Sequence, residues 1–336
     1  MSSPFERRLA DADSAARELR TLRDLLRYAV SRFECAGLAY GHGTDNAWDE
    51  AVALLLWALH LPPEPLDPWL DARLVRAERR AAIELIERRV AARVPAAYLT
   101  GQAWLRGLSF ACDARALVPR SPIAEALDEA LPQWLEHHPR SSSWPATVLD
   151  LCTGGGSLAI VAADRFPAAQ LVGADLSVDA LALAAENRAR HGLQQRLELV
   201  QGDLFAPVRG RRFDLVLCNP PYVNERSMQQ LPPEFQAEPR AALAGGVDGM
   251  DLVRRLLAQA PAHLTAEALL LLEIGHEAAH FEAAFPTLEF HYLPVTAGEQ
   301  LLVRIEARQL AAAARRRPAR PASSPAAATR RRTRRP

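Results

Sequence analysis

Lysine is absent from this chain of 336 residues, and all 40 basic side chains are arginine. With so much alanine beside them, the arginines read as a bias of nucleotide composition and carry no functional information by themselves. Cysteine is scarce. Cys35, Cys112, Cys152 and Cys218 lie far apart, with no Cys-x-x-Cys and no Cys/His spacing of a metal site. That argues against zinc modules and disulfide frameworks and leaves free thiols in a reducing cytosol. No run of eighteen apolar residues exists, so no membrane span is expected. The opening "MSSPFERRLADADSAAREL" has charges of both signs and no secretory apolar segment, so export is not expected and the cytoplasm is the expected location.

What is present fits an ordinary globular protein, 49% hydrophobic and 24% charged, long enough for one large domain or two moderate ones. The formal net charge of zero hides an asymmetry: nine arginines and no acid lie between Arg315 and Pro336. Taking those nine from the 40 leaves 31 basic against 40 acidic residues in the other 314, a net charge of −9. The arginine segment has no large apolar residue to bury, so residues 309–336 are expected to be a disordered tail. Its charge makes RNA a candidate contact.

Residues 14–36 carry Leu19, Leu22, Leu25, Leu26, Ala29, Val30 and Phe33 at three- and four-residue steps, which predicts an amphipathic helix ended by Gly37. A second helix is expected over Asn46–His60. Asp67 with Pro68 has the form of an N-cap and first-turn proline for helical segments reaching about Arg93. No strand alternation interrupts this part, so residues 1–97 are expected to form a small helical domain. Short apolar runs broken by Gly and Asp then predict a β-hairpin linker over 98–120. From 121 to 308 a helical stretch to about His137 leads into alternating strands and helices: "TVLDLC", "SLAIVAADRF", "QLVGAD", "SVDALALAAENRARHG", "LELVQGD", "FDLVLCN". Near-continuously apolar strands interleaved with helices predict an α/β fold with a mostly parallel sheet covered on both faces. Ligands in such folds bind beyond the C-terminal ends of the strands.

The polar motifs fall at those ends. The first strand runs into "DLCTGGGSLA", where Asp150, Cys152, Thr153, Gly154, Gly155 and Gly156 let a ligand approach the backbone at a helix start. This pattern alone also describes a tight strand–helix turn or a dinucleotide site. The acid before the loop suits a ligand with an ammonium group better than a pyrophosphate. Asp175, at the end of the next strand, is placed to take both ribose hydroxyls; as Ser177 can cap the following helix, Asp175 is expected to be free. In "QGDLF", Asp203 is a candidate acceptor for an adenine amine and Leu204 a wall for the ring. Together these describe a pocket for an adenosine with a charged tail. An NAD enzyme would share the first two features but not "NPPY", Asn219 to Tyr222. There two prolines remove two donors and stiffen the chain after a buried strand, holding Asn219 and Tyr222 still.

"DLCTGGG", "GADLS", "QGDLF" and "NPPYV", in this order and spacing, resemble class I S-adenosylmethionine-dependent methyltransferases, with their Rossmann-like seven-stranded sheet. NPPY resembles the tetrapeptide of enzymes that methylate planar nitrogens: adenine and cytosine amines, or the glutamine amide. "PAAYLTGQAW" (Pro95 to Trp104), "LVPRSPIAE" (Leu117 to Glu125) and "EPRAALAGGVDGM" (Glu238 to Met250) resemble the protein-glutamine methyltransferase family. "YLTG" and "VPRSPIAE" resemble the branch acting on large ribosomal subunit protein three rather than the release-factor branch. The resemblance spans about residues 14 to 306. The middle of the glycine loop, Gly155, departs from the Ser or Thr usual in the family.

The resemblance implies S-adenosylmethionine bound by Asp150, Cys152, Thr153, Gly154, Gly155, Gly156, Asp175, Asp203, Leu204 and Asn219. It implies a substrate-recognition role for the helical domain, a ribosomal protein as acceptor, free or in an assembling subunit, and no metal. It implies further that Asn219, Pro220, Pro221 and Tyr222 hold the acceptor amide, with Asn219, Pro220 and Tyr222 as the catalytic set. Acceptors fixed on the two N–H groups would free the nitrogen lone pair, so no strong base is needed. Phe110, Arg120 and Glu125 fall where the family's hairpin borders the cofactor, although a core phenylalanine and an exposed ion pair explain them as well. Glu273, His276 and Glu277 are read as helix-start residues, and His191 as a helix end. Methylation of an exocyclic amine in nucleic acid is the rival, disfavoured because the body is acidic and the N-terminal helices lack a dense basic face. A non-catalytic assembly factor would not need NPPY intact.

Overall fold

The computed structural model describes residues 12–316, except 63, 139, 141 and 142. Helices Ala12–Glu18, Leu22–Ala36, Ala47–Ala58 and Arg76–Ala92 pack around Leu25, Leu26, Phe33, Leu54, Leu55, Ile83 and Ile86. The continuous helix expected over 14–36 is interrupted, for a local reason. Thr21 accepts a hydrogen bond from the Asp24 amide at 3.2 Å while the Asp24 carboxylate accepts from the Thr21 amide at 3.0 Å. That reciprocal cap starts a new helix at Leu22. Gly37, at φ 56°, ends it as expected. Asp67 is the first helical residue of the short turn Asp67–Leu70 rather than its cap, and no side chain caps that turn.

Only part of the 98–120 stretch is hairpin. Ala96–Thr100 is helical, and strands β1 (Gln102–Leu105) and β2 (Leu108–Ala111) pair antiparallel. The helix expected through His137 is two, Ile123–Asp128 and Ala130–His137, broken at Glu129 (φ −120°, ψ −67°). The main sheet holds β3 (Thr147–Leu151), β4 (Gln170–Asp175), β5 (Leu197–Gln201), β6 (Phe213–Cys218), β7 (Leu264–Glu273), β8 (His291–Tyr292) and β9 (Leu302–Glu306). Their order is β5-β4-β3-β6-β7-β9-β8, and only β9 runs against its neighbours. Alternation sends Val148, Leu171, Leu215, Leu217, Leu269 and Leu271 into one apolar layer. Leu149, Leu151, Val172, Val216, Leu270 and Leu272 enter the other. The two-sided burial explains why the strands are apolar almost throughout.

The tail boundary needs correction. Residues 309–316 belong to a helix, Ala307–Arg316, that lays Leu310 into the core at 3% exposure. Residues 317–336, most of the expected tail, lie outside the described residues.

The chain runs outward from β3 to β4 and β5, then returns to place β6 on the other side of β3. That reversal opens a crevice at the C-terminal ends of β3 and β6. Leu151 is level with both Ala174 and Cys218, so the next residues, Cys152, Asp175 and Asn219, begin one row across three strands.

Candidate active site

A cavity of about 750 Å3 sits over this row. Of the residues singled out in the sequence, Cys152, Thr153, Gly154, Gly155, Asp175, Asp203, Leu204, Asn219 and Pro221 line it. Asp150, Gly156, Pro220 and Tyr222 are not among its lining residues, although Pro220 and Tyr222 flank Pro221, which is.

The glycine loop is held by Asp150. Its Oδ2 accepts from the Thr153 hydroxyl at 2.6 Å and from the Ala159 amide at 3.1 Å, tying the strand end to the first turn of Ser157–Arg165. Asp150 is 1% exposed, and burial pushes its carboxyl up to about 7 against those two hydrogen bonds. Oδ1 is buried with no partner among the described residues. The residue therefore shapes the loop from beneath, with one oxygen left over. The loop takes left-handed backbone at Cys152 (φ 56°), Gly154 (φ 55°) and Gly156 (φ 80°). For Cys152 this conformation is strained, as is the φ of 50° at Leu204 across the cavity. A Cβ at Gly155 would come 3.3 Å from Leu183, so the departure from a Ser or Thr relieves a tight contact.

Asp175 is not free. Its Oδ2 accepts from the Gly154 amide at 2.8 Å and its Oδ1 from the Ser177 amide at 2.9 Å, while Ser177 caps the following helix as expected. Each oxygen keeps a second lone pair, so the carboxylate is preorganised and still able to accept. Asp203 pairs with Arg255 at the cavity edge, both about half exposed. Arg255, on the helix Asp251–Gln259, had no signal in the sequence.

Asn219 has no side-chain hydrogen bond among the described residues and lines the cavity. Behind it, the Tyr222 hydroxyl donates to Glu273 Oε1 at 2.8 Å, and the Ser121 hydroxyl donates to Oε2 at 2.5 Å. Burial, and then the neighbouring Glu273, raise the Tyr222 hydroxyl well above its ordinary range. Burial likewise raises the Glu273 carboxyl. Glu273 is thus the last residue of β7 and a brace for the tyrosine, not a helix start. Glu277, by contrast, does stand at the cap of Ala278–Ala284.

The loop after β6 is closed by the segment 238–251. Val223 N–H donates to Leu243 O at 2.8 Å and Gly245 N–H to Val223 O at 2.9 Å. A Cβ at Gly249 would fall 2.1 Å from Tyr222 O, and one at Gly275 would fall 2.3 Å from Tyr222 Cε2. These glycines are required by close approach to the NPPY backbone and ring.

Arg120 lines the cavity and grips Glu238 with two hydrogen bonds of 2.5 and 2.6 Å. The Val118 amide donates to the same carboxylate at 3.0 Å, and His42 Nε2 from the helical domain stands 3.3 Å away, near enough to pair but not aligned as a hydrogen bond. Burial would raise Glu238, but the His42 and Arg120 contacts outweigh it and hold the carboxyl at about 2. A second buried cluster joins Arg89 to Glu50 and Glu234, with Arg93 on Glu234 as well. Both clusters lock the helical domain to the loop that roofs the site. Asn187 clamps the hairpin: its amide pairs with both backbone groups of Ala111 and donates to Gly155 O at 2.9 Å. Phe110 is wholly buried against the His191 ring, and Glu125 turns away to bond Thr296. His191 does end its helix, and its Nε2 meets Ser109 O at 2.8 Å.

A mostly parallel sheet with a glycine loop, an adjacent carboxylate and an NPPY loop around one cavity at its switch point defines a class I methyltransferase. Consistently, a family model described as the methyltransferase small domain matches residues 124–247. A Bordetella pertussis protein named ribosomal protein uL3 glutamine methyltransferase is 56% identical over 293 residues, 87% of this chain and 97% of the relative. Relatives of the same name from Burkholderia pseudomallei (50% over 302 residues, 88% and 97%) and Neisseria gonorrhoeae (45% over 298 residues, 89% and 98%) agree. The chain belongs to the ribosomal protein uL3 glutamine methyltransferase family.

Proposed function

We propose that this protein transfers a methyl group from S-adenosylmethionine to the side-chain amide nitrogen of a glutamine in ribosomal protein uL3, in the cytoplasm where ribosomes assemble. The observation that carries the reading is the row Cys152–Asp175–Asn219, which brings an unpartnered amide side chain into the same cavity as the glycine loop. The residues fit an adenosine with a charged tail. Asp175 has acceptor capacity left for ribose hydroxyls, Leu204 offers an apolar face, and the buried, unpartnered Asp150 Oδ1 is an acceptor that a cation beyond the loop would stabilise.

The bound cofactor would supply an electrophilic methyl on a sulfonium. The protein's part is positioning. Asn219 Oδ1 and the Pro220 carbonyl would each accept a hydrogen bond from one N–H of the acceptor amide, loosening the lone pair from the carbonyl and aiming it at the methyl carbon. Prolines 220 and 221 fix that carbonyl, and the Glu273–Tyr222 bond fixes the loop behind it. The nitrogen gains the methyl, the C–S electron pair stays with sulfur, and one amide proton leaves to water. Alignment of this kind is worth roughly 7–11 kcal/mol in favourable cases. Asp175 and Asp203 hold the nucleoside, and Asp150 acts through the loop. We further infer that the seven arginines after Arg316 give salt-sensitive attraction to the RNA around an assembling uL3.

Purified protein with methyl-labelled cofactor and recombinant uL3 should place the label on one glutamine, located by peptide mass spectrometry. Label entering only a release factor or nucleic acid would overturn the reading. Removal of residues 317–336 should leave transfer to free uL3 intact and flatten the salt dependence of RNA association; unchanged RNA association would remove the tail's role.

A further inference from the structure

A second cavity, about 760 Å3, lies beside the active site, between the helix Ala47–Ala58 and the hairpin. Pro119 lines both cavities, so the groove shares a wall with the site that holds Asn219. Two of its lining side chains are indoles left in solvent, Trp57 at 41% and Trp104 at 57% exposure. Exposed rings flanking a groove mark a surface that meets a partner.

Its charge is as distinctive as its shape. Among the described residues no arginine lines this groove, whereas Asp49 and Glu64 do, beside His60 and a His42 already turned to Glu238. The adjoining active-site cavity takes Arg115, Arg120 and Arg255. Neither carboxylate is in a salt bridge among the described residues; such groups attract lysine and arginine side chains, and indole faces bind the same groups by cation–π attraction. An RNA backbone would meet repulsion here. A ribosomal protein, which must neutralise RNA phosphates, is rich in the matching cations.

We propose that this groove seats a basic, extended segment of the substrate protein next to the acceptor glutamine, gripped by Trp57 and Trp104 and steered by Asp49 and Glu64. The proposal rests on the methyl-transfer reading above and names the surface that reading lacks. Position matters as well as attraction. Trp104 stands on β1, whose partner strand β2 is clamped to the glycine loop by Asn187. Tyr98 ties the same region to Ala116 O through its hydroxyl at 2.6 Å. A segment held by Trp104 is therefore held at a set distance from the cofactor loop, before any closure.

Two variants of the full chain test this: Trp57→Ala/Trp104→Ala and Asp49→Asn/Glu64→Gln. With intact uL3 as acceptor, each should raise KM about tenfold or more, while kcat stays within about twofold and cofactor affinity by calorimetry is unchanged. Trp104→Phe should recover most of the loss, which a folding defect would not allow. The groove is also tested by binding alone, with a fluorescent unstructured peptide rich in lysine and arginine and its acidic counterpart. The wild type should bind only the basic peptide, and the carboxylate variant should bind it more weakly and with less salt dependence. Failure of wild-type transfer to uL3 with this peptide pattern intact would sink the methylation reading and keep the groove. Unaltered KM and unaltered peptide binding in both variants would overturn the groove. So would a concentration-dependent dimer abolished by Trp57→Ala/Trp104→Ala, because a second copy would then be its occupant.

Discussion

Replacing Glu238 with glutamine tests whether the roof of the active site is held by charge. The carboxylate is 3% exposed and takes two hydrogen bonds from Arg120, one from the Val118 amide and the proximity of His42. A carboxyl lowered from its ordinary 4.5 to about 2 gains about 3 kcal/mol of stabilisation in its charged form. The sign follows from the direction. A depressed folded value stabilises the fold above the unfolded value, and the benefit is lost as pH falls from about 4.5 towards about 2. Glu238→Gln should therefore lower the unfolding free energy by about 3 kcal/mol at pH 7, since glutamine keeps the shape but removes the charge. The gap should narrow steadily below pH 4.5, while other carboxylates titrate equally in both proteins and cancel. Urea titrations followed by tryptophan fluorescence at several pH values would measure it. A gap that stays constant down to pH 2.5, or one below about 1 kcal/mol at neutral pH, would refute the charged clasp.

Other consequences can be checked alongside. Asn219→Ala should slow methyl transfer by about 100- to 1,000-fold, the usual cost of one preorganised polar contact, while cofactor affinity changes far less; near wild-type turnover would remove Asn219 from the reaction. Asp175→Ala should weaken S-adenosylmethionine binding by more than ~1 kcal/mol in calorimetry, through lost ribose contacts and a loosened Gly154. Gly275→Ala should cost about 2–4 kcal/mol in denaturant unfolding, because its φ of 52° disfavours a Cβ that would also fall 2.3 Å from the Tyr222 ring. Turnover should drop with it as Tyr222 leaves Glu273, and a stable, active variant would contradict the packing described.

Local pattern alone determined the sheet and its ligand end. Strands buried on both faces must be apolar throughout, and glycine, proline and aspartate at their C-terminal ends mark where the chain stops packing and starts binding. Hence Gly154, Gly155, Asp175, Asp203, Leu204 and Asn219 stand out in the sequence and do line one cavity. Partnership was not legible, because it joins residues far apart in sequence. Asp150 and Asp175 looked alike as ligand carboxylates, yet one lies under the loop and the other braces it from the cavity. Glu273 resembled a helix start until Tyr222 and Ser121, 51 and 152 residues away, were found on its two oxygens. Glu238 carried no visible role within its motif, since the side chains that hold it come from residues 42 and 120. Periodicity reports which face of an element is buried; only the packed chain decides which charges meet beneath it.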